Sequence, residues 1–167
     1  PYQRVEAHQM VATVKVNPLA LPGDVISAGV ALAGEGEALV RVAPFRAQDV
    51  ALVLTRLPGL KESVLDKTVA TVRARLEARG SRLGSEVRCA HDVDAVAGAL
   101  GQVATSGATP ILVYGASAIV DRRDVVPAGI VKAGGTIDRF GMPVDPGNLT
   151  LLAHLGATPI LGLPGSA

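Results

Sequence analysis

Aromatic residues are nearly missing from this chain. There is no Trp, and only two Phe and two Tyr stand among its 167 residues. That argues against a platform on which nucleic-acid bases stack. A single cysteine, Cys89, excludes an internal disulfide and points to a reducing, cytoplasmic setting. Neither charge sign dominates: 16 basic residues against 15 acidic give a formal net charge of +1. Such a balance offers no polybasic face to duplex DNA or to a membrane surface. No apolar run is long enough to span a bilayer, and no basic-then-apolar signal segment opens the chain. Several signatures of catalysis are also missing. There is no GxSxG and no assignable Ser–His–Asp set. "PGLKES" (58–63) lacks the GxxxxGK[ST] spacing of a phosphate loop. Cys89 and His91 stand two apart with no second pair, so a strand end running into a helix cap is expected there rather than zinc. His8 and His154 are isolated.

What is present is aliphatic. Hydrophobic residues make up 49% of the chain, so the core must be built from Ala, Val, Leu and Ile. A chain of this length buries roughly 70% of its unfolded surface and needs no covalent staples. Residues 1–47 read as an N-terminal α/β extension or the remnant of an upstream domain. Residues 48–167 read as one domain, and both ends of the chain read as cut from something longer.

Alternation in "MVATVKV" (10–16) predicts a strand, and "ALVRVAPF" (38–45) predicts another. Between them Asp24 is placed to cap a helix reaching Ala33. From Gln48 the pattern becomes regular. "DVALVLT" (49–55) is a continuous apolar run, as in a strand buried on both faces. Ser63 is a candidate cap for a helix with Leu65, Val69, Val72 and Leu76 on one face and Gly80 at its end. "SEVRCAH" is a strand, Asp92 caps a helix to about Thr105, and "PILVY" is the next buried strand. A helix near Val125–Ala133 leads to "TIDRFGM", and "NLTLLAHL" with "TPILGL" forms a strand pair. This alternation implies an α/β fold with three layers, a mostly parallel sheet with helices on both faces. Ligands in such folds sit beyond the carboxyl ends of the strands. Those ends fall after Thr55, Tyr114, Met142 and Leu163.

At one such end stands "LVYGASAIVDRRDVVP" (112–127). Gly115 permits a sharp turn, and Ala116 and Ser117 leave room above it. Exposed amides with the Ser117 hydroxyl could donate to an anion; an ordinary tight connection explains the turn equally well. Asp121 and Asp124, three residues apart, could hold Mg²⁺ or orient a substrate, although acids at a helix start more simply complement its dipole. With Arg122 and Arg123 they could equally form a surface cluster of ion pairs. "DPGN" (145–148) and "LPGS" (163–166) are Pro-Gly turns on the same edge.

Together, the buried strand, the glycine turn, "RDVVP", "AGG" (133–135), "FGMPVDPGN" (140–148) and "LGLPG" (161–165) resemble the molybdopterin-binding domain. That domain is shared by molybdopterin adenylyltransferases, molybdotransferases and gephyrin. The resemblance covers about Gln48 to Ala167, and four loops agree in order. "TRLPGLKESVLDKTV", "GASAIVDRRDVVPA" and "FGMPVDPGNL" look closer to the branch fused to a domain similar to molybdenum cofactor cytidylyltransferase.

The resemblance implies that Gly115, Ala116 and Ser117 meet the pterin phosphate. It makes Asp124 the acid of catalysis or metal positioning and brings Asp121 into the site. It implies a pocket also lined by Pro146, Gly147, Asn148, Pro164, Gly165 and Ser166. Three departures bear on activity. The turn reads Tyr114–Gly115 where the family commonly has Gly-Gly. The first loop reads Thr55–Arg56–Leu57–Pro58 in place of Thr-Gly-Asp-Glu. Asp145 stands where Lys often precedes the Pro-Gly turn. A module that binds molybdopterin or molybdenum cofactor, and presents it to a linked nucleotidyltransferase domain, tolerates these changes best. The alternatives are an enzyme in its own right, transferring adenylyl groups or inserting molybdate with Mg²⁺, and an assembly domain with a vestigial pocket. The resemblance further implies a homo-oligomer, trimer or dimer, with a pterin and possibly a nucleotide as ligands.

Overall fold

The computed structural model describes residues 3–13, 15, 20–36, 38 and 40–164. The chain divides into two compact units, Pro1–Pro44 and Phe45–Ala167. In the first, helix α1 spans Gly23–Gly34, with Asp24 in its first turn. None of its residues is buried. The strands expected at 10–16 and 38–45 do not form among the described residues, which make no ladder there. Alternation supplied two-faced segments, but a strand also needs a partner for its backbone groups.

The second unit follows the expected alternation. Strand β1 (Asp49–Arg56) leads through helix α2 (Glu62–Glu77) to β2 (Arg82–Ala90). Helix α3 (Val93–Ala104) leads to β3 (Ile111–Gly115), and α4 (Val125–Lys132) to β4 (Thr136–Phe140). Strands β5 (Leu151–Leu155) and β6 (Thr158–Pro164) follow directly. The six strands form one sheet in the order β2-β1-β3-β6-β5-β4. Pairings β1–β2, β1–β3 and β3–β6 are parallel; β5 runs antiparallel to both β6 and β4.

Strand β1 shows why a continuous apolar run belongs between two neighbours. Side chains alternate across a strand, and here both sides are covered. Ala51 and Val53 pack with Val96, Leu100, Val103, Val126 and Ile130 from α3 and α4. Leu52 and Leu54 pack with Leu65, Val69 and Val72 from α2. The sheet of this unit is thus the middle of three layers, with one apolar cluster on each face among the described residues. Each fully buried Leu or Val side chain contributes roughly 1.5–3 kcal/mol, which aliphatics supply without aromatic bulk.

Helix ends follow local chemistry. Asp92 caps α3, accepting the Ala95 amide at 2.8 Å. Helix α2 opens at Glu62, with Lys61 at its extended cap position and no side-chain cap bond. Ser63 is therefore inside the helix, not its cap. Glu62 is instead engaged by Arg56 at 2.6 Å and Arg88 at 2.7 Å. Arg88, on β2, also meets Asp66 and Glu86, each at 2.8 Å, which ties α2 to the sheet edge.

Candidate functional site

Chain direction changes between β1 and β3. The chain leaves β1 for α2 on one face and leaves β3 for α4 on the other. Loops that part in this way open a crevice at the carboxyl ends of the two strands. A hollow of about 300 Å³ lies there, walled by Leu54, Leu60, Val64 and Leu65 and floored by Thr55 and the Gly115–Ala118 turn, with Pro164 beside it. A second cleft of about 420 Å³ runs along the loop after β1 to Ala90, His91 and Asp92.

Between the two stands a chain of hydrogen bonds. Thr55 is the buried polar residue of the described core, 2% exposed. Its Oγ1 accepts the Ala116 amide at 2.7 Å and lies 2.8 Å from His91 Nδ1. His91 Nε2 lies 3.0 Å from Ser117 Oγ. Burial pulls the His91 pKa below its ordinary value, against the attraction of Asp124 and Asp92. The neutral imidazole is the form that burial favours.

Parallel pairing brings these groups together. Leu54 is in register with Tyr114 and Thr55 with Cys89, so the buried threonine near the end of β1 meets the turns that follow β2 and β3. Ser117, a candidate from the sequence, lines this hollow; Thr55 and His91 were not among the site candidates. The available signal was a threonine closing a buried apolar run, and a histidine just before a capping aspartate. Their adjacency depends on β1 lying between β2 and β3.

Gly115 owes its small size to the protein's own packing. A Cβ there would stand 3.1 Å from the Ser117 carbonyl oxygen and 3.1 Å from Val126 Cγ2. The Ala116 amide is spent on Thr55. Among the described residues, the Ser117 and Ala118 amides find no acceptor.

The charges nearby are also accounted for. Asp124 stands at the start of α4, and its carboxylate turns back to accept the Val120 and Asp121 amides at 2.8 and 2.9 Å. Asp121 accepts the Arg123 amide at 2.8 Å and its guanidinium at 3.1 Å, which together hold its carboxyl below the usual range. Arg122 sits over the Phe140 ring, 5.5 Å from its centre. No three His, Cys, Asp or Glu side chains gather into a metal-binding group among the described residues. One Asp124 oxygen holds two amides, which leaves its other oxygen as the donor Asp124 would offer a Mg²⁺ ion.

The remaining candidates lie farther along the edge. Pro164 pairs with Gly115 and belongs to the crevice. Pro146, Gly147 and Asn148 lie in the loop joining β4 to β5. They leave the same edge two to three strands away, roughly 10–15 Å from β3 at ordinary strand spacing, and do not line the hollow. Gly147 has φ +136, and a Cβ on it would meet Met142 and Val144 at 2.9 Å. Gly165 and Ser166 lie outside the described residues.

No protein-family model matches the chain, and no curated protein matches it. Solved structures do. The molybdopterin biosynthesis moea protein of Pyrococcus horikosii aligns with a TM-score of 0.52 at 18% identity, over 72% of this chain and 31% of its own. Molybdenum cofactor biosynthesis protein B aligns at 0.54 and 14% identity, over 74% of this chain and 83% of its own. The CinA protein of unknown function from Thermoplasma acidophilum aligns at 0.56 and 13%, over 71% and 89%. The chain has the molybdopterin-binding-domain fold. It spans about a third of the moea protein. At these identities the likeness establishes the fold, and activity must be argued from the site. No described helix of this molybdopterin-binding-like fold is long and apolar enough to cross a membrane.

Proposed function

We propose that the crevice between β1 and β3 binds the phosphate of molybdopterin or of molybdenum cofactor during cofactor biosynthesis. One observation carries this reading. At the switch point of the sheet, the Ser117 hydroxyl and the unclaimed Ser117 and Ala118 amides stand beside an apolar-walled hollow. A hydrogen bond to a charged group is worth about 1.5–3 kcal/mol, so three such donors suffice for a specific anion site. The names of the structural neighbours supply the ligand class. Ser117 and Ala118 would hold the phosphate end, with Gly115, Ala116 and Pro164 shaping the crevice around it and Gly165 and Ser166 following Pro164 in the sequence. Pro146, Gly147 and Asn148 would meet the far end of an extended pterin. Asp121 and Asp124 would shape the connecting loop.

Binding is favoured over chemistry because one Asp124 oxygen is committed to backbone amides and no group of three His, Cys, Asp or Glu side chains forms among the described residues. Presentation of the bound pterin to a nucleotidyltransferase domain completes the proposal. The test is molybdopterin binding by the chain, followed by ATP- and CTP-dependent transfer with and without Mg²⁺. Binding without turnover is expected. Turnover lost in Asp124→Asn would favour the enzyme, since Asn still accepts both amides through its carbonyl. Failure to bind would leave a structural role.

A further inference from the structure

We infer that His91 is a positioning residue that fixes the Ser117 hydroxyl as a donor toward the ligand, so that the crevice selects an acceptor-only group such as a phosphoryl oxygen. This rests on the crevice being the anion site proposed above.

Thr55 Oγ1 has one proton and two lone pairs. One lone pair takes the Ala116 amide at 2.7 Å. The proton has two acceptors in reach, His91 Nδ1 at 2.8 Å and the Tyr114 carbonyl at 3.4 Å. The longer contact lies outside the range of a good O–H···O bond, so the proton goes to Nδ1. A neutral imidazole that accepts at Nδ1 carries its hydrogen on Nε2. Nε2–H therefore donates to Ser117 Oγ at 3.0 Å. Ser117 accepts that bond and keeps its own O–H free to turn. Among the described residues the carbonyl in its reach, that of Ala118, is a poor 3.5 Å away.

The hydroxyl proton is thus available to the hollow, beside amides that are also donors. A phosphoryl oxygen accepts from all three donors, whereas a ligand group with its own proton to place would find only the second Ser117 Oγ lone pair among these groups, which is the costlier match. The acids whose fields reach His91 are Asp92 and Asp124. The opposite tautomer would reverse the relay and spend the Ser117 proton on His91.

The tautomer can be read directly in the ligand-free chain, from long-range ¹H–¹⁵N correlations of the imidazole at pH 7.5. The Nε2–H form is expected, and the Nδ1–H form would overturn the inference whatever the crevice binds. In parallel, phenyl phosphate is titrated against phenol. Affinity for phenyl phosphate should fall on the order of tenfold or more in Ser117→Ala and in His91→Phe. His91→Gln, which can still donate to Ser117, should retain most of it. Equal affinity in His91→Phe and the parent would overturn the positioning role. Phenyl phosphate binding no better than phenol, with His91 in the Nε2–H form, would instead defeat the anion reading and the selectivity with it.

Discussion

Replacing Thr55 by Val removes one oxygen and almost no volume, at a position 2% exposed. The Ala116 amide then loses its acceptor at 2.7 Å, and His91 Nδ1 loses its partner at 2.8 Å. A part-buried amide left unpaired costs about 1–3 kcal/mol. His91 is only partly buried, so water can replace its lost partner for roughly 0.5–1 kcal/mol. The sum is about 1.5–4 kcal/mol. With a urea slope of roughly 2 kcal/mol/M for a domain of this size, the unfolding midpoint should drop by about 1–2 M at unchanged slope. Thr55→Ser keeps the oxygen and should lose about 1 kcal/mol or less, for one methyl group. Urea unfolding of the three proteins, followed by far-UV circular dichroism, gives the comparison. A Thr55→Val midpoint equal to that of the parent would refute the account of the hydrogen-bonded seam between β1 and β3.

Three further outcomes can be checked with the same equipment. Because burial lowers the His91 pKa beneath its usual 6.5, the unfolded chain binds this proton more readily than the folded one. Its contribution is complete above pH 6.5 and is lost as pH falls through the depressed folded value, so urea midpoints should drop toward pH 5 more steeply in the parent than in His91→Gln; parallel slopes would contradict this. Gly115→Ala forces a methyl group against the Ser117 carbonyl and Val126, both at 3.1 Å, and should cost about 1–3 kcal/mol while displacing the Ser117 amide resonance. Asp92→Ala removes the cap bond to Ala95 and should cost about 1 kcal/mol in urea, with an Asn replacement restoring most of it.

The legible parts of this fold were those fixed by local chemistry. The apolar run of β1, the apolar face of α2 and the Asp92 cap each announce themselves within a few residues. Alternation at 10–16 and 38–45 misled because a pattern of side chains does not guarantee a neighbouring strand. Ser63 misled because a hydroxyl marks a helix start only where the backbone turns there, and the turn falls at Lys61, two residues earlier. The rim was legible in part. Gly115–Ser117 and Pro164 follow from strand ends and small residues. Thr55 and His91 were hidden because neither is unusual alone; they meet across 36 residues of chain, and only the strand order makes them neighbours. The acids at 121 and 124 attracted a chemical reading; one oxygen of each is taken up by amides of its own loop.

The seam also links recognition to the whole fold. Thr55 touches groups 36 and 61 residues away, so the crevice has no counterpart in the unfolded chain. Any molecule that settles in it must raise the melting temperature of the Phe45–Ala167 unit. At a hundred times its dissociation constant, a ligand adds about 2.7 kcal/mol, worth roughly 10 °C for a unit of this size. A panel of pterins, nucleotides and simple phosphate esters can therefore be ranked by heating alone, before any reaction has been assigned.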